Sequence, residues 1–345
     1  MVRREPNITR CQRKVGVPRQ LRTAPPPAIT IYRVVTRTAG YPAEVPFVGR
    51  EAESALVAIT LDRDPITAPT QLVVWGEPGI GKTRLLREAA AKARSRGKHI
   101  VWIEGNPVEA RVPYGAISVA VSQQSGVPGD LAVDWEEARA ALDVGLAPDA
   151  TERKSFGRAC STLTRFLSRL SATAPAAIVV DDLQLLDQES LALLDVLLSR
   201  LQDEIGFACT VRAFPYPLTS RPGELLSRVR AGARCADLHL GSLGPQQVSA
   251  MLANLCGTPV NPELSDFVTS RAAGNPLFVL EIGRSLMEGG GADAGEMPAG
   301  IADLPPSRHS AVLQRIYPLP VEARLFAQVT SVLRRLSLEQ LPMVG

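Results

Sequence analysis

The feature that most constrains the fold is the eight-residue segment GEPGIGKT, which spans residues 76–83. It follows the apolar run Gln71–Trp75 and precedes Thr83–Arg94, whose apolar residues share one face of a helix. A glycine-rich loop between a buried strand and a helix can turn its backbone N–H groups toward phosphate oxygens, and the helix dipole adds to their attraction. We therefore expect an α/β domain that binds the phosphates of a nucleotide.

The residues of this loop have distinct expected roles. Lys82 should reach the β- and γ-phosphates and assist catalysis, and the Thr83 hydroxyl should ligate Mg²⁺. The expected ligands are thus ATP or ADP with Mg²⁺. The predicted nucleotide-binding residues of the segment are Gly76, Glu77, Pro78, Gly79, Ile80, Gly81, Lys82, Thr83 and Arg84.

A second signal is the apolar run Ile178–Val180, which is followed by two acids, Asp181 and Asp182. A carboxylate at the end of a buried strand is costly unless it meets a cation. We predict that Asp181 holds Mg²⁺, directly or through water, and that Asp182 polarises the attacking water.

From residue 71 onward, short apolar runs alternate with amphipathic stretches, and this alternation predicts a parallel sheet flanked by helices. Ligands of such sheets bind at the carboxyl ends of the strands, where both signals lie. After Gly241 only helical patterns follow. The predicted strands are Gln71–Trp75, His99–Glu104, Ala176–Asp182, one within Phe207–Ser220, and Ala236–Leu240. The predicted later helices are Gly244–Leu255, Pro262–Ala272, Pro276–Met287 and Val312–Leu336.

The pattern predicts five regions. We expect a disordered basic tail at 1–42, a nucleotide-binding core at 43–242 and an all-helical lid at 243–288. A Gly/Ala-rich linker at 289–300 would then lead to the truncated start of a further, winged-helix-like helical domain at 301–345.

Charge and composition narrow the function classes. Residues 1–40 hold nine Lys and Arg and one Glu, whereas the whole chain has a net charge of +3, so the body is mildly acidic and gives no argument for nucleic-acid binding. The five cysteines are odd in number and lack CxxC spacing, which is typical of reduced thiols in a cytoplasmic protein. No run approaches the length of a membrane span, so no membrane association is expected.

Two further patterns are suggestive. Thr219-Ser220-Arg221-Pro222 follows an apolar stretch that predicts a strand. Arg221 at the end of that strand could contact the γ-phosphate, or it could be an ordinary surface residue. Gly274-Asn275-Pro276 lies between two helical patterns and could be an ordinary turn.

Together these segments resemble a known family. FVGRE (47–51), GEPGIGKTRLL (76–86), PYG (113–115), VVDDLQLLD (179–187) and AGNPLFVLE (273–281) resemble the signal-transduction NTPases with numerous domains (the STAND class). Within that class the chain is similar to the Orc-like AAA-type module of large bacterial LuxR-family regulators and of some multidomain cyclases. The resemblance covers roughly residues 45–335.

The resemblance implies further roles. The FVGRE segment, with Val48 and Arg50, would flank the adenine, and Pro276 would be the lid proline that packs on the nucleotide. Arg221 resembles the sensor arginine after the fourth strand and would be catalytic. The family acts as a switch that is closed with ADP and open with ATP, and it is often oligomeric.

The chain departs from the family in three ways. The family's DDLHWAD reads DDLQLLD here, with Gln184, Leu185 and Leu186 substituted, and the stretch Phe207–Ser220 is longer than expected. The helical-repeat sensor, the C-terminal helix-turn-helix and the cyclase domain of the larger proteins are not expected in this chain.

Three functions follow as hypotheses. The first is a nucleotide switch module of a bacterial signalling or transcriptional regulator, with slow ATP hydrolysis and with protein partners or self-association. The second is a non-hydrolysing ATP/ADP-binding interaction module or the remnant of a longer regulator. The third, an origin-binding replication ATPase, is disfavoured because no DNA-binding domain is recognised in the sequence.

Overall fold

The computed structural model describes residues 47–63, 68–124, 127–144, 152–202, 204–212 and 220–288. The strands are β1 (Gln71–Gly76), β2 (His99–Glu104), β3 (Ala176–Asp181), β4 (Ile205–Arg212) and β5 (Cys235–His239). The helices are α1 (Glu51–Asp62), α2 (Lys82–Ser95), α3 (Gly115–Gln123), α4 (Ala132–Val144), α5 (Glu152–Thr173), α6 (Gln188–Leu201), α7 (Arg221–Ala231), α8 (Pro245–Cys256), α9 (Pro262–Ala272) and α10 (Pro276–Glu288). Short 3₁₀ turns lie at Glu109–Arg111, Gly129–Leu131 and Leu183–Leu185.

The five strands form one parallel sheet in the order β2-β3-β4-β1-β5. Apolar residues line both faces of the inner strands, and β3 is buried at every position, as expected of a sheet covered on both sides. The edge strand β5 is more exposed. The predicted fold class, a parallel sheet flanked by helices, is confirmed.

Two apolar layers sandwich the sheet. Leu72 and Val74 of β1 face α1 and α2, whereas Val73 faces the larger layer formed by α3 to α7. The alternation follows from the two-residue repeat of a strand. Because all strands run the same way, the carboxyl ends of β1, β3 and β4 lie together at one edge of the sheet.

A third apolar cluster belongs to α8–α10, which we call the lid. Val248, Met251 and Leu252 of α8 pack with Val268 of α9 and Val279 of α10. The three predicted lid helices are therefore present, within two residues of their expected ends.

Several expectations lie outside the described residues: the basic tail at 1–42, the linker at 289–300 and the helix at Val312–Leu336. The division of the chain into the five regions stays a prediction. Among the helices that the structure describes, none combines the length and the apolar character that crossing a bilayer requires.

Candidate nucleotide-binding site

The loop between β1 and α2 has the backbone that its glycines predict. Gly79 and Gly81 have φ angles of 80° and 101°, in the left-handed region that favours glycine. Gly81 directly precedes Lys82, the first residue of α2. The helix N-terminus and its dipole are thus directed at the loop, as anion binding requires.

Lys82 is the buried cation of this loop. Its side-chain Nζ donates hydrogen bonds to the carbonyl oxygens of Gly76, at 2.8 Å, and Glu77, at 3.0 Å. Burial lowers the pKa of Lys82, while the nearby charge of Asp182 acts in the opposite direction. An ammonium group held by two neutral carbonyls lacks a full counter-charge, so a phosphate oxygen would be a favourable partner.

The carboxylate of Asp181 is joined to two hydroxyl groups. Its Oδ1 accepts from Thr83 Oγ1 at 3.0 Å and from Thr210 Oγ1 at 2.7 Å. Burial raises the pKa of Asp181, and the hydrogen bonds from the two threonines oppose that rise. Sequence reasoning did not identify Thr210, because its role depends on the pairing of β3 with β4.

The Thr83–Asp181 pair suits a magnesium ion. Mg²⁺ prefers oxygen ligands and is commonly held by one or two protein groups together with phosphates and water. A hydroxyl and a carboxylate oxygen already lie 3.0 Å apart beside the loop. These two residues fit the metal role predicted for them.

Asp182 occupies a sharp turn after β3. Its φ angle of 53° is left-handed, a conformation that Asp tolerates better than most residues. Its Oδ1 accepts from Gln184 Nε2 at 2.7 Å and lies 3.9 Å from Nε of Arg212. Gln184, one of the substituted positions of the family pattern, therefore contacts the predicted water-activating residue directly.

The structure places Arg212, and not Arg221, beside the acids. Strand β4 ends at Arg212, which lies opposite Gly76 in the register with β1 and contributes to the electrostatic field at Lys82. Arg221 instead begins α7, has a side chain that is 58% exposed, and pairs with Glu224 of the same helix at 3.8 Å. None of the contacts found for Arg221 among the described residues reaches Lys82, Asp181 or Asp182.

The FVGRE segment contacts the start of the lid. Arg50 directly precedes α1, pairs with Glu53 at 2.9 Å and donates to the carbonyl of Gly241. The Gln247 side chain of α8 donates to the carbonyl of Gly49 at 2.7 Å. Val48 packs against the apolar cluster of the lid.

A second set of contacts joins the lid to the phosphate-binding loop. Asn275 is buried, and its Nδ2 donates to the carbonyl of Pro78 at 3.0 Å. The backbone N–H of Leu277 donates to the carbonyl of Gly79 at 3.3 Å. Pro276 is the first residue of α10, where its missing N–H costs nothing. These contacts place the GNP segment against the loop, at the carbonyl groups of Pro78 and Gly79.

The remaining predicted loop residues have structural partners. The Ile80 side chain is buried against α1 and α2. Arg84 lies 3.6 Å from Glu88 on the next turn of α2. Their predicted contacts with nucleotide stay predictions.

Asp187 explains why the PYG segment accompanies the two acids. It caps α6 by accepting from the N–H of Ser190 at 2.7 Å, and it also accepts from the N–H of Tyr114 at 2.9 Å. Tyr114 is left-handed, with a φ angle of 57°, so the buried carboxylate fixes a strained turn. The link ties the loop after β2 to the loop after β3.

Comparison with protein families agrees with this arrangement. Residues 46–210, just under half of the chain, match the family described as "AAA ATPase domain". The chain carries a P-loop NTPase domain of the AAA type. No curated protein matches the chain significantly by sequence.

Several solved structures are similar to parts of this chain, each with a TM-score below 0.5. Cdc6p from Pyrobaculum aerophilum is 15% identical, with a TM-score of 0.48 over 72% of this chain and 65% of that chain. A STAND protein with a tetratricopeptide repeat sensor from Pyrococcus horikoshii is 16% identical, with a TM-score of 0.39 over 81% of this chain and 34% of that chain. AMPPCP-bound DnaA from Aquifex aeolicus is 14% identical, with a TM-score of 0.45 over 80% of this chain and 73% of that chain. The chain thus spans less than two thirds of the length of the first two.

Proposed function

We propose that this AAA-type domain binds ATP and ADP with Mg²⁺ and acts as a slowly hydrolysing nucleotide switch in a bacterial signalling or transcriptional regulator. One observation carries the proposal: Thr83 and Asp181 are hydrogen-bonded at the edge of the sheet. Thr83 directly follows the buried Lys82 in the chain. A cation for phosphate and an oxygen pair for magnesium are the two requirements of Mg·ATP binding.

Within this proposal each residue has a defined part. The loop Gly76–Thr83 and the N-terminus of α2 bind the phosphates. Lys82 would exchange its carbonyl partners for β- and γ-phosphate oxygens. Thr83 and Asp181 would hold Mg²⁺, which neutralises charge on the phosphates when bound.

Hydrolysis would use the groups beyond the metal pair. Asp182 would orient the attacking water, and Arg212 is the arginine best placed to respond to the γ-phosphate. Both groups already contact other side chains, because Asp182 accepts from Gln184 and lies 3.9 Å from Arg212. Freeing them requires a rearrangement, and this requirement supports slow turnover.

The same contacts favour a second candidate, a non-hydrolysing ATP/ADP-binding interaction module. If the Gln184–Asp182 hydrogen bond persists with ATP bound, the carboxylate is not free to polarise water. Phosphate release from purified protein separates the two candidates: slow release that is absent in Lys82→Ala supports the switch, and none above the Lys82→Ala background supports the binding module.

The binding proposal is tested by titrating a fluorescent ATP analogue against the parent and Lys82→Ala. Loss of a charge-assisted contact is worth about 1.5–3 kcal/mol, which is roughly ten- to a hundredfold in affinity. Lys98→Ala, which removes a lysine that follows the opposite end of α2 from the loop, is the matched control. Equal affinities of the parent and Lys82→Ala would refute the site.

We further propose that the lid senses the nucleotide. Backbone N–H groups of the loop are expected to face phosphate, while the carbonyls of Pro78 and Gly79 already bind the lid. Any change of the loop on binding is therefore transmitted to α10. The shift cannot exceed the difference in lid contacts between the ATP and ADP states, and typical couplings of about 1–3 kcal/mol would change the lid equilibrium several-fold to about a hundredfold.

Hydrogen exchange with ADP and with a non-hydrolysable ATP analogue tests this coupling. Differences between the two ligands are expected in residues 244–287 as well as at residues 76–83. Differences confined to residues 76–83 and 181–182 would contradict it. Protein partners, self-association and the lack of direct DNA binding stay predictions for this chain.

A further inference from the structure

One hydroxyl group connects the two acids that follow β3. Thr210 of β4 is fully buried, and its Oγ1 donates to Oδ1 of Asp181 at 2.7 Å. The same Oγ1 accepts from the backbone N–H of Asp182 at 2.7 Å. The bonded residues are 28 and 29 positions apart in the chain, and the two bonds join β4 to the end of β3.

The direction of both bonds is fixed by chemistry. An ionised carboxylate only accepts and a backbone N–H only donates, whereas a hydroxyl has one hydrogen to give and lone pairs to receive. Thr210 therefore uses its single hydrogen on Asp181 and a lone pair on Asp182. An asparagine or valine at this position could not form both bonds at the same atom.

Each bond restrains a different property of the site. The bond to Asp181 restrains the Oδ1 that also accepts from Thr83, and so it fixes the orientation of the carboxylate toward a cation. The bond from Asp182 holds a residue whose φ angle of 53° is unfavourable for most side chains. That turn determines where the second carboxylate lies.

We infer that Thr210 is a positioning residue for magnesium: it orients Asp181 as a metal ligand and, through the same oxygen, fixes the turn that carries Asp182. This inference rests on the proposed function, because it assumes that Mg·nucleotide binds at this edge. It adds a role for β4 that the motifs did not assign. A threonine buried only for packing would have no effect on magnesium dependence.

The test measures nucleotide affinity with Mg²⁺ and with EDTA, and takes the ratio of the two dissociation constants for the parent, Thr210→Val and Thr210→Ser. Valine keeps the shape and removes the hydroxyl, whereas serine keeps the hydroxyl. We expect Thr210→Val to reduce the magnesium-dependent gain in affinity by about tenfold, from the usual strength of a hydrogen bond to a charged group. Thr210→Ser should restore most of it.

Two further variants make the result specific. Thr60→Val removes the hydroxyl of another fully buried threonine, a hydroxyl that donates to the Leu56 carbonyl within α1, and it should keep the parent ratio. In an Asp181→Asn background, adding Thr210→Val should cause no further loss of the magnesium effect. This background also relieves the burial of an unpaired charge, so it gives a result even if Thr210→Val alone does not fold.

The outcomes are distinguishable from failure of the proposed function. If the parent binds nucleotide with a magnesium gain but Thr210→Val keeps that gain, the inference about Thr210 is wrong and the site stands. An equal loss in Thr210→Ser, or a further loss in the Asp181→Asn background, would also overturn it. If the parent shows no nucleotide binding, the proposed function itself fails.

Discussion

The edge of the sheet formed by the carboxyl ends of the strands, where Asp181 lies, differs from the lid in how it is held together. At the edge, Asp181 and Thr210 lie on adjacent buried strands, and their hydrogen bonds are part of the sheet's packing. The lid has its own small apolar cluster, and its described hydrogen bonds to the loop come from only two residues, Asn275 and Leu277. Regions with fewer buried contacts open at lower free energy. This difference supports our proposal that a rigid edge holds charge and that the lid responds to it.

Gly274→Ala should disrupt the lid and leave the edge intact, with the largest effect of the changes considered. The φ angle of Gly274 is 67°, and an added Cβ would lie 2.3 Å from the carbonyl oxygen of Leu243. Backbone strain and this clash together should cost about 3 kcal/mol. Hydrogen exchange should rise across α8–α10 and stay slow in β1, β3 and β4.

Gly257→Ala is the matched control for this change. Gly257 has a similar φ angle of 72° but no atom within 4 Å of an added Cβ. It should show the backbone cost alone, about 1 kcal/mol. Equal effects of the two variants would mean that the predicted clash between an added Cβ at position 274 and Leu243 does not destabilise the lid.

Asp182→Asn should affect the edge and leave the lid unchanged. The amide can still accept from Gln184 but can no longer polarise water, so nucleotide affinity should stay while turnover falls about a hundredfold, within the usual range for general-base groups. Phosphate release measured alongside equilibrium binding checks both halves. Turnover equal to that of the parent would place water activation on another group.

How far the sequence predicts this molecule depends on how local each signal is. The strands and the residues Lys82, Thr83 and Asp181 follow from short runs whose spacing carries the chemistry. Thr210 could not be found in this way, because its partners are set by the register in which Val180 lies opposite Cys209. The Gln247–Gly49 contact joins residues almost 200 positions apart and has no local signal.

The two arginines show the same limit. The apolar stretch Phe207–Ser220 does not reveal where its strand ends, and the pattern therefore favours Arg221, which directly follows the stretch. Strand β4 ends at Arg212, inside that stretch, and α7 begins at Arg221. The pattern predicts an arginine at the end of this strand but does not show which of the two arginines lies there.

Asn275→Ala should weaken the joint between the two regions. It removes the hydrogen bond to the Pro78 carbonyl and the cap to the N–H of Leu277, each worth about 1 kcal/mol. We expect the lid of this variant to exchange hydrogen equally fast with ADP and with an ATP analogue. Asn261→Ala is the control, because Asn261 caps α9 in a similar way, through the N–H of Glu263. Loss of nucleotide sensitivity in both variants would show that lid stability alone, and not the Pro78 contact, matters.

Arg221→Ala should have the smallest effect, because this residue belongs to neither the edge nor the joint. Its side chain is 58% exposed and pairs only weakly with Glu224 on its own helix, so the free energy of unfolding should change by less than about 0.5 kcal/mol.

Arg212→Ala is the informative comparison for Arg221→Ala, since Arg212 is less exposed and faces Asp182. The measurement is the ratio of the dissociation constants for ATP and ADP. It should fall several-fold toward unity in Arg212→Ala, because the extra phosphate of ATP loses a cation that ADP does not use. It should remain at the parent value in Arg221→Ala. The opposite pattern would return the sensor role to Arg221 and would require α7 to reach the nucleotide in a state that differs from the present one.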